Sequence, residues 1–156
     1  MSFEKAKKHL KKYGLDKNIM EFEESSATVS AAAKAIGCKE EEIGKTLSFL
    51  VNDTPIVVVV SGEARIDNQK FREEFKVKSR MIPFDDVEKL VGHGVGGVCP
   101  FGVNEGVEVY LDKSLQKLKI VNPASGSSNS AVRLTIKELE AASEYLRWVD
   151  ICKWKK

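Results

Sequence analysis

Thr46-Leu47-Ser48-Phe49-Leu50-Val51, then Asn52-Asp53-Thr54, then Pro55-Ile56-Val57-Val58-Val59-Val60-Ser61 is the stretch that decides the fold class. Two runs of β-forming residues flank a short polar turn, which is the signature of a β-hairpin. The second run, Ile56–Val60, is apolar on both faces of a strand, so it belongs at the centre of a sheet. It is far too short to span a bilayer.

Working outward from this hairpin, helical and strand patterns mix without strict alternation. On the N-terminal side, Phe3, Ala6, Leu10 and Tyr13 share one helical face, and Gly14 ends that helix. An edge strand is expected over Ile19–Glu23. Thr28 caps a helix running to Ile36 and closed by Gly37, and Glu40–Ile43 forms a further helical turn. On the C-terminal side, Asp67 caps a helix over Asn68–Phe75. A short strand follows near Lys78–Ile82, then a helix over Asp85–Val91. Strands are expected over Val107–Leu111, Leu118–Asn122 and Ala131–Thr135. A helix over Ile136–Tyr145 comes last, and Trp148–Ile151 closes the sheet. The pattern implies one α+β (mixed α/β) domain over residues 1–156, with a mostly antiparallel central sheet flanked by helices.

Composition agrees with a folded soluble domain. The chain has 156 residues, 42% hydrophobic and 31% charged, and a formal net charge of +2. Residues 1–80 carry 15 basic and 13 acidic groups, and residues 81–156 carry 10 of each, so neither half is a polybasic nucleic-acid module. The local exception is Lys5, Lys7, Lys8, Lys11, Lys12 and Lys17, which face only Glu4 and Asp16. They form either a solvated helix surface or a contact for a polyanion such as tRNA. The first 20 residues contain no apolar secretory core, and Cys38, Cys99 and Cys152 show no paired spacing. A cytoplasmic protein with reduced thiols is expected. His9 and His93 share no ligand spacing with a cysteine pair, so no metal is expected.

Six of the eleven glycines lie between Gly92 and Gly106. Gly92-His93-Gly94-Val95-Gly96-Gly97 matches a dinucleotide fingerprint, but that motif must follow a strand and open a helix. Here a helix precedes it, and Pro100 and Gly102 follow. The remaining readings are a loop shaped for packing and a loop whose backbone N–H groups hold an anion or oxyanion. Lys45 beside the first strand is either a snorkelling side chain or a cation at a cleft edge. Asn122–Ser130 is either a surface turn or a cluster of hydrogen-bonding groups presented at a sheet end. Cys99, with His93 nearby in sequence, leaves a thiol enzyme as a minor alternative.

Three segments together extend this reading: TVSAAAKAIGCKEEEIGKTL (28–47), GGVCPFG (96–102) and SGSSNSAVRLT (125–135). Their order and spacing resemble the YbaK/EbsC family, the free-standing relatives of the prolyl-tRNA synthetase editing domain, over about residues 20–145. The resemblance implies hydrolysis of the ester of a mischarged aminoacyl-tRNA carrying a small amino acid such as Ala, Cys or Ser, with neither cofactor nor metal. It implies the tRNA acceptor end, of tRNA-Pro or a related tRNA, and prolyl-tRNA synthetase as partners, and no membrane. It assigns catalytic roles to Lys45, Gly96 and Gly97, and substrate contacts to Thr46, Pro100, Phe101, Ser125, Ser127 and Asn129. In parts of the family a histidine or small polar residue lies in the loop before the last strand; the match here falls near Asn129, and the histidine is absent. A non-catalytic tRNA- or nucleotide-binding module of the same fold is the alternative.

Overall fold

The computed structural model describes residues 2–26 and 28–154. The hairpin at its centre forms as its sequence dictates. β2 (Ile43–Val51) and β3 (Thr54–Ser61) pair antiparallel from Gly44↔Ser61 to Val51↔Thr54. The turn shortens to two residues, because Asn52 (φ 50°) and Asp53 (φ 68°) both take the left-handed conformation that matches strand twist. Val57–Val60 are fully buried, as a central strand requires.

Around the hairpin a six-stranded sheet runs in the order β8-β6-β2-β3-β5-β9, with β5 (Glu108–Asp112), β6 (Ile120–Pro123), β8 (Leu134–Thr135) and β9 (Arg147–Val149). The mixed α/β single domain is as expected. Its central sheet is more evenly mixed than mostly antiparallel: β2–β6, β3–β5 and β5–β9 are parallel, whereas β2–β3 and β6–β8 are antiparallel. Two helices, α3 (Asn68–Phe75) and α4 (Val87–Val91), lie between β3 and β5 and supply a crossover long enough to return in the same direction.

One face of the sheet packs on α1 (Ser2–Lys11) and α5 (Ile136–Ser143) through Leu10, Val59, Leu111 and Leu139, with α4 alongside on Val57. The other face packs on α3 through Phe49, Val58, Phe71 and Phe75. The expected caps are present. Thr28 Oγ1 accepts from Ala31 N at 3.0 Å at the start of α2 (Val29–Ile36), and Asp67 caps α3. No helix among the described residues is long and apolar enough to cross a membrane.

Three expectations change. The strand expected at Lys78–Ile82 reduces to one bridge, Phe49↔Met81, because Pro83 has no N–H with which to continue the ladder. The strand expected over Ala131–Thr135 splits. β7 (Ser130–Val132) pairs with β1 (Ile19–Glu21), and β8 pairs with β6. Finally, β4 (Ala64–Ile66) and β10 (Cys152–Trp154) form a two-stranded sheet that three-residue segments gave no pattern to announce.

Candidate functional site

β2 changes neighbours along its length, and the site forms where it does so. Its parallel pairing with β6 covers Ile43 and Gly44 only. Further along, Ile82 N donates to Ser48 O and Leu50 N donates to Arg80 O. These bonds show that even-numbered residues of β2 turn their backbone groups away from β3. Thr46 is even-numbered and lies between the two pairings, so the sheet edge is open at Thr46.

A pocket of about 380 Å³ occupies this opening, within the usual size range of ligand sites. Gly44–Ser48 run along it, with Val29 and Ala32 of α2 on one side and Ile82, Phe84 and Val87 on another. The glycine loop contributes Val95, Gly96 and Val98, and the β6–β7 segment contributes Asn122, Ala124, Ser130 and Ala131.

Two polar atoms in this mostly apolar wall are buried without a hydrogen-bond partner among the described residues, Thr46 Oγ1 and Asn122 Oδ1. Leaving a buried polar atom unpaired costs about 1–3 kcal/mol. His93 Nδ1 and Ser143 Oγ are also unpaired, but away from the pocket, so Thr46 and Asn122 carry the two such atoms that a ligand or water in this pocket can satisfy. Asn122 is held in place by its own amide, which donates to Glu42 O at 3.3 Å.

Lys45 lines the pocket, though as the third residue of β2 rather than at its entrance. Its ammonium donates to Ala64 O at 2.8 Å, fixing it beside β4.

The glycine loop is organised by a turn. Gly97 N donates to Gly94 O at 3.0 Å, and Gly96 at φ 96° takes the position in that turn that suits glycine. The tip, Val95–Gly96, borders the pocket. Gly97, expected as a second oxyanion donor, does not line the pocket. Its N–H is spent within the turn, and a Cβ there would lie 2.6 Å from Ser127 N. Gly97 is small because the loop presses on the Gly126–Ser127 backbone.

Pro100 and Phe101 are buried and do not line the pocket. Phe101 is fully buried against His9, with ring centroids 5.9 Å apart, and its carbonyl accepts from His93 Nε2 at 2.6 Å. The thiol alternative fails on the same ground. Cys99 is fully buried, its Sγ donates to Phe101 O, and burial pushes the thiol up to about 12, so no thiolate forms near neutrality.

Ser125, Ser127 and Asn129 stand behind the pocket wall. Ser125 Oγ donates to Ser130 Oγ at 3.0 Å, and Ser127 Oγ lies 2.5 Å from Ser130 Oγ and donates to Asn129 Oδ1 at 3.1 Å. Asn129 Nδ2 donates to Phe22 O at 2.9 Å. Their side chains fix Ser130, which does face the pocket. Of the nine residues singled out from sequence, the structure therefore gathers Lys45, Thr46 and Gly96 at one pocket. Sequence reasoning missed Asn122 and Ser130. Asn122 was visible only as the start of a polar loop, and nothing local distinguishes a buried asparagine from an exposed one.

The family model of the aminoacyl-tRNA editing domain matches residues 23–142, three-quarters of the chain and every wall of this pocket. The chain belongs to this family. Over 98% of both chains it is 45% identical to the uncharacterized protein YwhH of Bacillus subtilis (strain 168). It is 28% identical over 113 residues to a proline–tRNA ligase of Streptococcus sanguinis (strain SK36), of which the match covers 17%. A solved structure described as a candidate trans-editing enzyme for prolyl tRNA synthetase superposes with a TM-score of 0.87 at 29% identity, covering 97% of each chain. The editing-domain fold thus accounts for the architecture, and the pocket lies inside the matched segment.

Proposed function

We propose that this editing domain is a cytoplasmic, trans-acting aminoacyl-tRNA deacylase, with the whole chain acting as one unit. Its substrate is the 3′ ester of a mischarged tRNA, tRNA-Pro or a related one, bearing a small amino acid such as Ala, Cys or Ser. The observation that carries the reading is the pair of unpartnered buried oxygens, Thr46 Oγ1 and Asn122 Oδ1, in the pocket that Lys45 and Gly96 also line.

An aminoacyl ester is already activated, so the reaction needs placement and charge stabilisation rather than a protein nucleophile. Asn122 Oδ1 can only accept, so its partner is a donor: the substrate's α-amino group or the attacking water. Thr46 Oγ1 can donate or accept and holds the second member of that pair. Water adds to the ester carbonyl, and the resulting oxyanion takes the Gly96 N–H at the turn tip. The tetrahedral intermediate then expels the ribose hydroxyl, which regains a proton as the free amino acid leaves. One oxyanion donor is worth about 2.7–4 kcal/mol in such reactions. Lys45, fixed beside β4, binds the hydroxyls or phosphate of the terminal nucleotide. The apolar wall formed by Val29, Ala32 and Val98 limits the amino-acid side chain by size, a discrimination worth about 1–3 kcal/mol per methylene. With a net charge of only +2, attraction to tRNA is local, so a synthetase or other translation factor assists delivery.

The test is turnover on a panel of mischarged tRNAs by the purified protein and by Lys45→Ala. Release of amino acid from at least one tRNA is expected. Lys45→Ala is expected to lose about 10- to 150-fold in rate, the roughly 1.5–3 kcal/mol of one charge-assisted bond, with its circular dichroism unchanged. Full activity of Lys45→Ala removes the lysine's role. Binding of the acceptor end without turnover on any tRNA establishes the non-catalytic module instead.

A further inference from the structure

Six large apolar side chains are exposed among the described residues, and three of them, Met81 (56%), Phe84 (73%) and Val95 (50%), sit on the rim of this one pocket. Exposed apolar side chains scattered singly need no explanation, but a cluster at a pocket mouth does. Phe84 is the most exposed of the six and belongs to none of the core clusters. Its backbone is not loose. It opens a 3-10 turn, Phe84–Asp86, directly after Pro83, and Asp86 N donates to Pro83 O at 2.9 Å. A rigid turn therefore presents an aromatic face at the entrance.

Charge says what that face receives. Asp85 and Asp86 are exposed beside it, whereas Arg80 is exposed beside Met81, so a phosphodiester is disfavoured next to Phe84 itself and favoured farther along the Arg80–Ile82 strap. A planar, neutral group is not disfavoured at Phe84. On the reading of this pocket as an acceptor-end site, the planar neutral groups nearest the rim are the bases of the single-stranded 3′ end. Such bases stack on aromatic side chains irrespective of sequence.

We infer that Phe84 is the stacking platform for a terminal base of the substrate RNA, with Met81 and Val95 enclosing the base edge. The aminoacyl ester then hangs inward toward Thr46, Asn122 and Gly96, so that stacking at the rim sets how deep the ester reaches. The inference rests on the reading of this pocket as the site that takes the acceptor end.

A binding measurement that needs no turnover separates the two. Phe84→Trp places an indole at the rim, while the native Trp148 and Trp154 lie outside the pocket lining, so the unaltered protein serves as control. Titration with a short, unacylated single-stranded oligoribonucleotide ending in adenosine is expected to quench Phe84→Trp emission saturably. An oligonucleotide abasic at its 3′ position should not. On aminoacyl-tRNA, Phe84→Ala and Phe84→Leu are expected to lose about 5- to 150-fold in kcat/KM, chiefly through KM, whereas Phe84→Tyr retains it. Wild-type KM in Phe84→Leu overturns the inference, because an apolar surface without a π-face would then suffice. So does absence of quenching, including the case where emission follows protein concentration alone and the rim is a protein contact. If deacylation is never found but quenching occurs, the stacking site stands and the catalytic reading falls.

Discussion

The glycine-rich loop and the open edge of β2 border the same pocket but contribute to it differently. The loop supplies shape. Gly97 presses against the Ser127 backbone, Gly102 at φ 69° presses against the carbonyl of Lys5, and His93, Cys99 and Phe101 are locked together beneath them. The β2 edge supplies polar atoms at Thr46, with Asn122 beside it. Glycine density therefore reports close backbone approach, and of the loop's glycines Gly96 alone lines the pocket, beside Val95 and Val98. Strand geometry, by contrast, exposes the groups that can touch a substrate.

The strongest way to break this comparison is to substitute within the loop. Gly94 and Gly97 both avoid the left-handed region, so they differ mainly in space. A Cβ at Gly97 meets Ser127 N at 2.6 Å, and one at Gly94 meets nothing closer than Glu88 Oε1 at 3.6 Å. Gly97→Ala is expected to destabilise by about 1–3 kcal/mol in urea unfolding, while Gly94→Ala stays within about 0.5 kcal/mol. Equal effects would mean that the loop does not pack as described.

Next in size is a pH effect that belongs to the loop alone. Burial holds His93 below the ordinary histidine value of 6.5, outweighing its bond to the Phe101 carbonyl. The folded protein then declines a proton that the unfolded chain accepts. Stability from this source is complete above about pH 6.5 and is lost as pH falls below it, by up to about 1.4 kcal/mol per pH unit. Unfolding curves between about pH 7 and about pH 5.5 should show the slope, and His93→Gln should abolish it. A slope that survives in His93→Gln belongs to another group.

The smallest effect sharpens the other side of the comparison. Thr46→Val removes one unpartnered hydroxyl and keeps the shape. Deacylation is expected to fall about 2- to 10-fold, the worth of one neutral hydrogen bond, with the melting temperature unchanged or raised. A lowered melting temperature with unchanged activity would place Thr46 in the scaffold with the glycine loop.

Much of the fold is legible residue by residue. The hairpin, the Thr28 and Asp67 caps and the helix stops at Gly14 and Gly37 depend on neighbours within a few positions, and they appear where the sequence puts them. Lys45, Thr46 and Gly96 line one pocket, whereas Phe101 and Gly97 lie outside its lining, and a residue in a motif looks the same in sequence whether it faces a pocket or the core. Three-residue strands such as β4 and β10 carry too few positions to show alternation.

The sequence by itself determined the fold class, the central strand, the helix boundaries and the family likeness, because each depends on local preference or on the order of motifs along the chain. The tertiary structure alone decided which polar atoms end up unpaired in a common wall. Thr46 and Asn122 are 76 positions apart, and Phe84 is 38 from Thr46. Only the change of partner along β2, parallel to β6 and then bridged to the Arg80–Ile82 strap, opens the edge where they meet.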